Sequence, residues 1–174
     1  MDTLIERIGD ADVVMVSGVS GSGKTTLARL LEPHGYALLS IDRIMWSHHG
    51  MCGRDYPEEK FADYLAEAES ELLQRLDRII KGGGKAVLDF TFCKRAKRDA
   101  YREFVVSRGG KTVLIYCDTP LDTIKERLHR RNLHPGPDAA IVTDEMAERF
   151  FSGFQRPGDD EECIIHLSLA KGEG

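Results

Sequence analysis

The sequence predicts an α/β protein, a parallel sheet covered by helices on both faces. Three observations predict it. Short β-branched and apolar runs alternate along the chain with longer segments of three- and four-residue apolar periodicity. Every connection between the runs is long enough for the right-handed crossover that parallel neighbours require. A glycine-rich loop, Gly18-Val19-Ser20-Gly21-Ser22-Gly23-Lys24-Thr25, lies between the first run and the first helical segment.

The elements follow in order. Residues 12–17 form the first strand, in which Val13-Val14-Met15-Val16 reads as a buried run. A helix over residues 23–32 is ended by Pro33 and Gly35. Residues 36–41 are the second strand, and residues 42–57 are expected to be a loop. The next helix carries the plainest periodicity. Phe61, Tyr64, Leu65, Ala68, Leu72, Leu76 and Ile79 share one face, and Gly82-Gly83-Gly84 stops it. Residues 86–90 are the third strand. A helix over 95–107 is closed by Gly109-Gly110. Residues 112–117 are the fourth strand, and Pro120 opens a helix over 121–131. Pro135, Gly136 and Pro137 make 132–142 a loop. Thr143 caps a helix over 143–151, and residues 164–167 are the last strand. The whole chain, 1–174, reads as one domain.

Composition narrows the function classes. The chain has 174 residues and a net charge of −5, so neither nucleic acid in general nor an anionic membrane surface attracts it overall. No apolar run reaches membrane-spanning length. Met1-Asp2-Thr3-Leu4-Ile5-Glu6-Arg7 lacks the basic and apolar regions of a signal peptide, so the expected location is cytoplasmic. Cys52, Cys93, Cys117 and Cys163 are far apart and read as separate reduced thiols.

The glycine-rich loop matches G-x-x-x-x-G-K-[ST]. Glycines at 18, 21 and 23 let the backbone curl so that successive N–H groups, those of Ser20, Ser22 and Thr26 included, point at phosphate oxygens. The following helix adds its positive end. Lys24 is placed to neutralise the β- and γ-phosphates, and Thr25 to offer its hydroxyl to Mg²⁺. Ligands of such sheets bind beyond the carboxyl ends of the strands. Asp42 and Asp89 fall at those ends. Asp42 reads either as a base for an attacking hydroxyl or as a turn cap. Asp89 reads either as a magnesium ligand or as a turn residue.

Arg127, Arg130 and Arg131 lie at the end of the helix over 121–131, ahead of the proline-bearing segment. They read as part of a lid over about 127–143, or as a solvated basic helix end. Lys94 and Lys97 read as a solvated face, and Arg98 as a candidate for an anionic substrate group. His48 and His49 read as an exposed pair. Trp46 reads either as pocket lining or as core cover.

This ordered set resembles the small P-loop kinases, and among them the AAA-33-type group. The resemblance runs through residues 18–25, Asp42, Asp89-Phe90-Thr91, Cys117-Asp118-Thr119-Pro120 and Glu126-Arg127-Leu128 leading to Arg131. That group lies near phage polynucleotide kinase, chloramphenicol phosphotransferase, zeta toxin and gluconate kinase. The resemblance implies a single three-layer P-loop NTPase domain with a five-stranded sheet in the order 2-3-1-4-5. It implies Asp42 as catalytic base, Arg127 against adenine, Arg131 near the phosphates, and Arg98 facing the substrate. Relatives often show Asp-x-Thr-Asn after the third strand, where Phe92 follows Thr91 here. Phe92 and Trp46 are therefore expected to make a more apolar acceptor site. The expected activity is transfer of the γ-phosphoryl group of ATP, with Mg²⁺, to a hydroxyl of a small acceptor. The alternatives are an ATP-binding regulatory module of low hydrolysis and a nucleic-acid 5′-end kinase.

Overall fold

The computed structural model describes residues 2–133 and 141–167, with side chains from residue 4 onward. Its strands are β1 (Val13–Ser17), β2 (Tyr36–Ser40), β3 (Lys85–Asp89), β4 (Thr112–Asp118) and β5 (Cys163–Leu167). They form one parallel sheet in the order β2-β3-β1-β4-β5. Its helices are α1 (Asp2–Ile8), α2 (Lys24–Leu31), α3 (Ile41–His49), α4 (Phe61–Lys81), α5 (Arg95–Val106), α6 (Leu121–Asn132) and α7 (Asp144–Ser152).

β1 is the middle strand, and all five of its residues are buried. Its alternate side chains feed two cores. Val13 and Met15 join Leu39, Leu88 and Leu114 under α3, α4 and α5, where Leu72 and Leu76 are fully buried. Burying each of those leucines contributes about 2 kcal/mol. Val14 and Val16 join Val87, Ile115 and Ile164 on the opposite face, under α1 and α2. A third cluster lies past the end of the sheet. Val19 of the glycine-rich loop packs there with Ile124 and Leu128 of α6, and with Val142 and Ala147.

Strand register sets which chain ends meet. Ser40 pairs with Asp89, Val16 with Asp89, and Ser17 with Tyr116. The residues that follow these positions therefore leave the sheet together on one edge.

Two elements differ from the expectation. The segment after β2 is the helix α3 rather than a loop over 42–57. Ser40 accepts a hydrogen bond from the Arg43 N–H, and Ile41, Ile44 and Met45 bury one face at helical spacing. The second is α1, which sequence patterning passed over; Leu4, Ile5 and Ile8 pack it against the second core. The Thr143 cap is present, accepting from the Met146 N–H at 3.3 Å. Of the expected lid, residues 134–140 lie outside the described residues.

Candidate functional site

The loop over residues 18–23 is held by close neighbours on every side. Gly18 has φ 151°, and a Cβ there would sit 2.4 Å from Ser22 Oγ and 3.2 Å from Cys117 Cβ. Gly21 has φ 84°, and a Cβ there would sit 3.0 Å from Leu128 Cγ and 3.2 Å from the Ile124 carbonyl. Only glycine allows α6 to approach the loop this closely. The Ser22 carbonyl accepts from Thr119 Oγ1 at 2.9 Å and from Arg127 Nη1 at 3.4 Å. Arg131 Nη2 donates to Ser20 Oγ at 3.2 Å. Arg127 and Arg131 thus share a face of α6, and both reach the loop.

α2 starts directly from Gly23 with no side-chain cap and no acidic residue in its first turn. Its leading N–H groups are the donors that a helix normally satisfies with a cap or an anion. Ser22 Oγ is buried and makes no hydrogen bond. Lys24 Nζ donates to the Val19 carbonyl at 2.9 Å, so the ammonium arches back over the loop. Burial pushes the Lys24 ammonium below its ordinary value, and Asp89 and Asp42 oppose that shift.

Acidic groups face the loop from two neighbouring strands. Thr25 Oγ1 donates to Asp89 Oδ2 at 2.7 Å, and Asp89 is only 6% exposed. Asp42 stands in the first turn of α3, exposed on the cleft side. A cavity of about 360 Å³ lies between these groups. Lys24, Thr25, Asp42, Asp89, Arg127 and Arg131 all line it, together with Ser20, Gly21, Gly23 and Thr26 of the loop and its helix. Cations and carboxylates therefore converge on a space open to solvent. Burial pushes the Cys117 thiol, at the end of β4, up to about 11, which leaves it protonated and unreactive.

Three expected substrate residues are not gathered there. Arg98 is fully buried, donating to both carboxylate oxygens of Glu161 at 2.8 and 2.5 Å. Phe92 is also fully buried, its ring 5.2 Å from Phe90 and 5.0 Å from Tyr101. Both therefore lack a surface for an acceptor, and the expected apolar acceptor wall of Phe92 and Trp46 is not formed. Trp46 lies one turn past Asp42 on α3, half-buried, with the Arg54 guanidinium 5.4 Å from its ring. It is absent from the cavity lining. Of the expected exposed histidine pair, His48 is exposed and meets Glu71 at 3.1 Å, whereas His49 is half-buried, stacked on Tyr64 at 3.6 Å and 3.2 Å from Glu67. Among the described residues no three His, Cys, Asp or Glu side chains are grouped to hold a metal by themselves.

Sequence reasoning missed Arg29 and Glu161. Arg29 lines the cavity one turn beyond Thr25, and its i+4 spacing was the available signal. Glu161 sits in an acidic run that reads as a solvated loop, and nothing local marks it as the partner of Arg98.

A glycine-rich loop closing the central strand of a 2-3-1-4-5 parallel sheet defines a P-loop protein. The chain belongs to the AAA_33 family, described as an AAA domain, whose profile matches residues 13–157. It is 27% identical over 126 residues to a UPF0200 protein of Pyrobaculum aerophilum, covering 72% of this chain and 70% of that one. In structure it is similar to a candidate kinase from Chloroflexus aurantiacus, with a TM-score of 0.71 and 19% identity, over 91% of this chain and 88% of that one. It is also similar to a gluconokinase from Sinorhizobium meliloti, with a TM-score of 0.59 and 19% identity, over 91% and 83% of the two chains. No helix among the described residues is long and apolar enough to cross a membrane.

Proposed function

We propose that the protein is an ATP-dependent phosphotransferase that moves the γ-phosphoryl group to a hydroxyl of a small acceptor. The observation that carries this reading is the convergence of Lys24, Arg131, Asp89 and Asp42 on one open cavity above the glycine-rich loop. A loop alone fits any nucleotide binder. A carboxylate facing it across an open space fits one that also activates a second reactant.

The parts take these roles. The uncapped start of α2 and the loop amides receive the β- and γ-phosphates. Lys24 and Arg131 stabilise charge on the transferring group, and Arg127, on the same face of α6 as Arg131, is assigned to the nucleotide base. Thr25 and Asp89 already share a hydrogen bond on the cavity wall, giving a pair of hard oxygen donors. Such a pair suits Mg²⁺, which takes few protein ligands and fills its remaining positions with water and phosphate oxygens. When bound, Mg²⁺ would supply charge neutralisation between the phosphates. Asp42 is exposed on the cleft side and accepts the acceptor's hydroxyl proton. Residues 1–174 then act as one catalytic domain, closed over the phosphates from the α6 side.

A thermal-shift screen of small hydroxylated metabolites, with a non-hydrolysable ATP analogue and Mg²⁺ present, tests this reading. Ligands of the closed site raise the melting temperature by mass action. A protein stabilised by the analogue but by no small acceptor, with ATPase activity that rises only on adding a protein partner, refutes it.

A further inference from the structure

Phe92 is the one non-glycine residue among those described with a left-handed backbone, at φ 47°. A left-handed phenylalanine persists only where its surroundings over-determine it. Here the turn aims two carbonyls inward. The Thr91 carbonyl accepts from the Gly18 N–H at 3.2 Å and from Ser17 Oγ at 3.3 Å. The Phe92 carbonyl is 3.4 Å from the same hydroxyl and accepts from Arg98 Nη1 at 3.0 Å. The turn that carries Asp89 and Thr91 is thus bonded to the phosphate loop on one side and to Arg98 on the other.

Arg98 is itself fixed from outside α5. Its Nε and Nη2 engage both oxygens of Glu161, whose side chain is 1% exposed. Its Nη1 also donates to the Gln155 carbonyl at 2.8 Å. Gln155 in turn donates from its backbone N–H to the Cys93 carbonyl at 2.9 Å and accepts from the Arg95 N–H at 2.9 Å. Arg98 beside Glu161 holds that carboxyl below its ordinary value. A buried ion pair is weak evidence for stability, because an apolar pair of similar volume often serves as well. What an apolar pair cannot supply is a donor to the Phe92 carbonyl.

We propose that Arg98 and Glu161 are positioning residues. They hold Phe92 in its left-handed turn, and so set Asp89 against Thr25 and Thr91 against Gly18. The proposal rests on the phosphotransferase reading for its consequence, since Thr25 and Asp89 are the pair assigned to Mg²⁺.

The test uses Arg98→Met/Glu161→Leu, which keeps apolar volume and removes both charges. Calorimetry measures the affinity of an ATP analogue with and without Mg²⁺, and hydrogen exchange follows the Gly18 amide. The expected result is a folded protein with wild-type affinity in the absence of Mg²⁺. The factor by which Mg²⁺ tightens binding should fall about tenfold, the lower end for a lost outer-shell partner. Gly18 should exchange faster while the amides of β1 do not. A folded double variant with unchanged Mg²⁺ coupling and unchanged Gly18 exchange overturns the proposal. If that variant does not fold, Arg98→Lys takes its place, since an ammonium lacks the planar fork that engages both Glu161 oxygens and the Phe92 carbonyl at once. Unchanged Mg²⁺ coupling and Gly18 exchange in it are equally fatal. A wild-type protein indifferent to Mg²⁺ refutes the phosphotransferase reading instead, and Gly18 exchange then decides the pair's role alone.

Discussion

Residues 18–25 meet packed neighbours at nearly every position, whereas residues 42–56 bury Ile44, Met45 and Tyr56 but leave Asp42, Ser47, His48, Gly53, Arg54 and Asp55 open to solvent. On the loop side Gly18 abuts Cys117, Gly21 abuts Leu128, and the Ser22 carbonyl takes donors from Thr119 and Arg127. On the facing side Asp42 lines the cavity and is exposed, while beyond the lining Trp46 is half-buried and a Cβ on Gly53 would meet nothing within 4 Å. Backbone groups dominate the first wall and side chains the second. A triphosphate is the same for every reaction of this kind, so its recognition can be fixed in a backbone that the core holds. An acceptor differs from one enzyme to the next, and side chains outside the core are free to differ with it.

The sharpest way to break this comparison is to remove charge from each wall in turn. Lys24→Ala should lower ATP turnover by about 10²- to 10³-fold, the scale of a lost charge-stabilising donor. The melting temperature should hold, because a partly desolvated ammonium leaves with the side chain; turnover assays and thermal melts check both. Asp42→Asn should lower transfer by about a hundredfold, the scale of lost general-base help, with analogue affinity unchanged. Equal loss of analogue affinity in both variants would erase the distinction between the walls.

Backbone substitutions give a smaller, structural contrast. Gly53→Ala incurs only its left-handed φ of 79°, a cost of about 1–2 kcal/mol. Gly21→Ala incurs the same kind of strain at φ 84° and also drives a methyl against Leu128. Denaturant unfolding should show Gly21→Ala as the more damaging of the two, and only Gly21→Ala should weaken analogue binding.

The smallest expected effect is a fraction of a proton. Burial depresses the Lys24 pKa in the free protein, and bound phosphate raises it again. Between the free and bound values, analogue binding must therefore take up protons. Uptake should peak at a pH between those two values and vanish on either side of them, where Lys24 carries the same charge in both states. Calorimetry in buffers of different ionisation enthalpy reads it directly.

The parts legible in the sequence were those set by local physics. The buried run of β1, the glycine-rich loop and the periodic face of α4 each carry their signal within a few residues. The strand ends followed from them, which is why Asp42 and Asp89 were found together on one edge. α3 was missed because Ile41, its first residue, reads as the end of the strand before it, although Ile41, Ile44 and Met45 kept helical spacing. Arg98 was misread for a different reason. Its partner Glu161 lies 63 residues away, in an acidic run with no pattern of its own. A charged residue on a helix looks available to a ligand until the segment that covers it is in place. Phe92 was misread with it, since a left-handed backbone at a bulky residue leaves no trace in the sequence.

The central claim is that one cleft holds a nucleotide on its backbone wall and a hydroxyl acceptor on Asp42. Incubation of the protein with ATP, Mg²⁺ and a pool of small hydroxylated compounds, followed by mass spectrometry, tests it most directly. The account predicts a phosphorylated acceptor that disappears with Lys24→Ala and nearly disappears with Asp42→Asn. Phosphoryl transfer to an acceptor that persists undiminished in Asp42→Asn would contradict it.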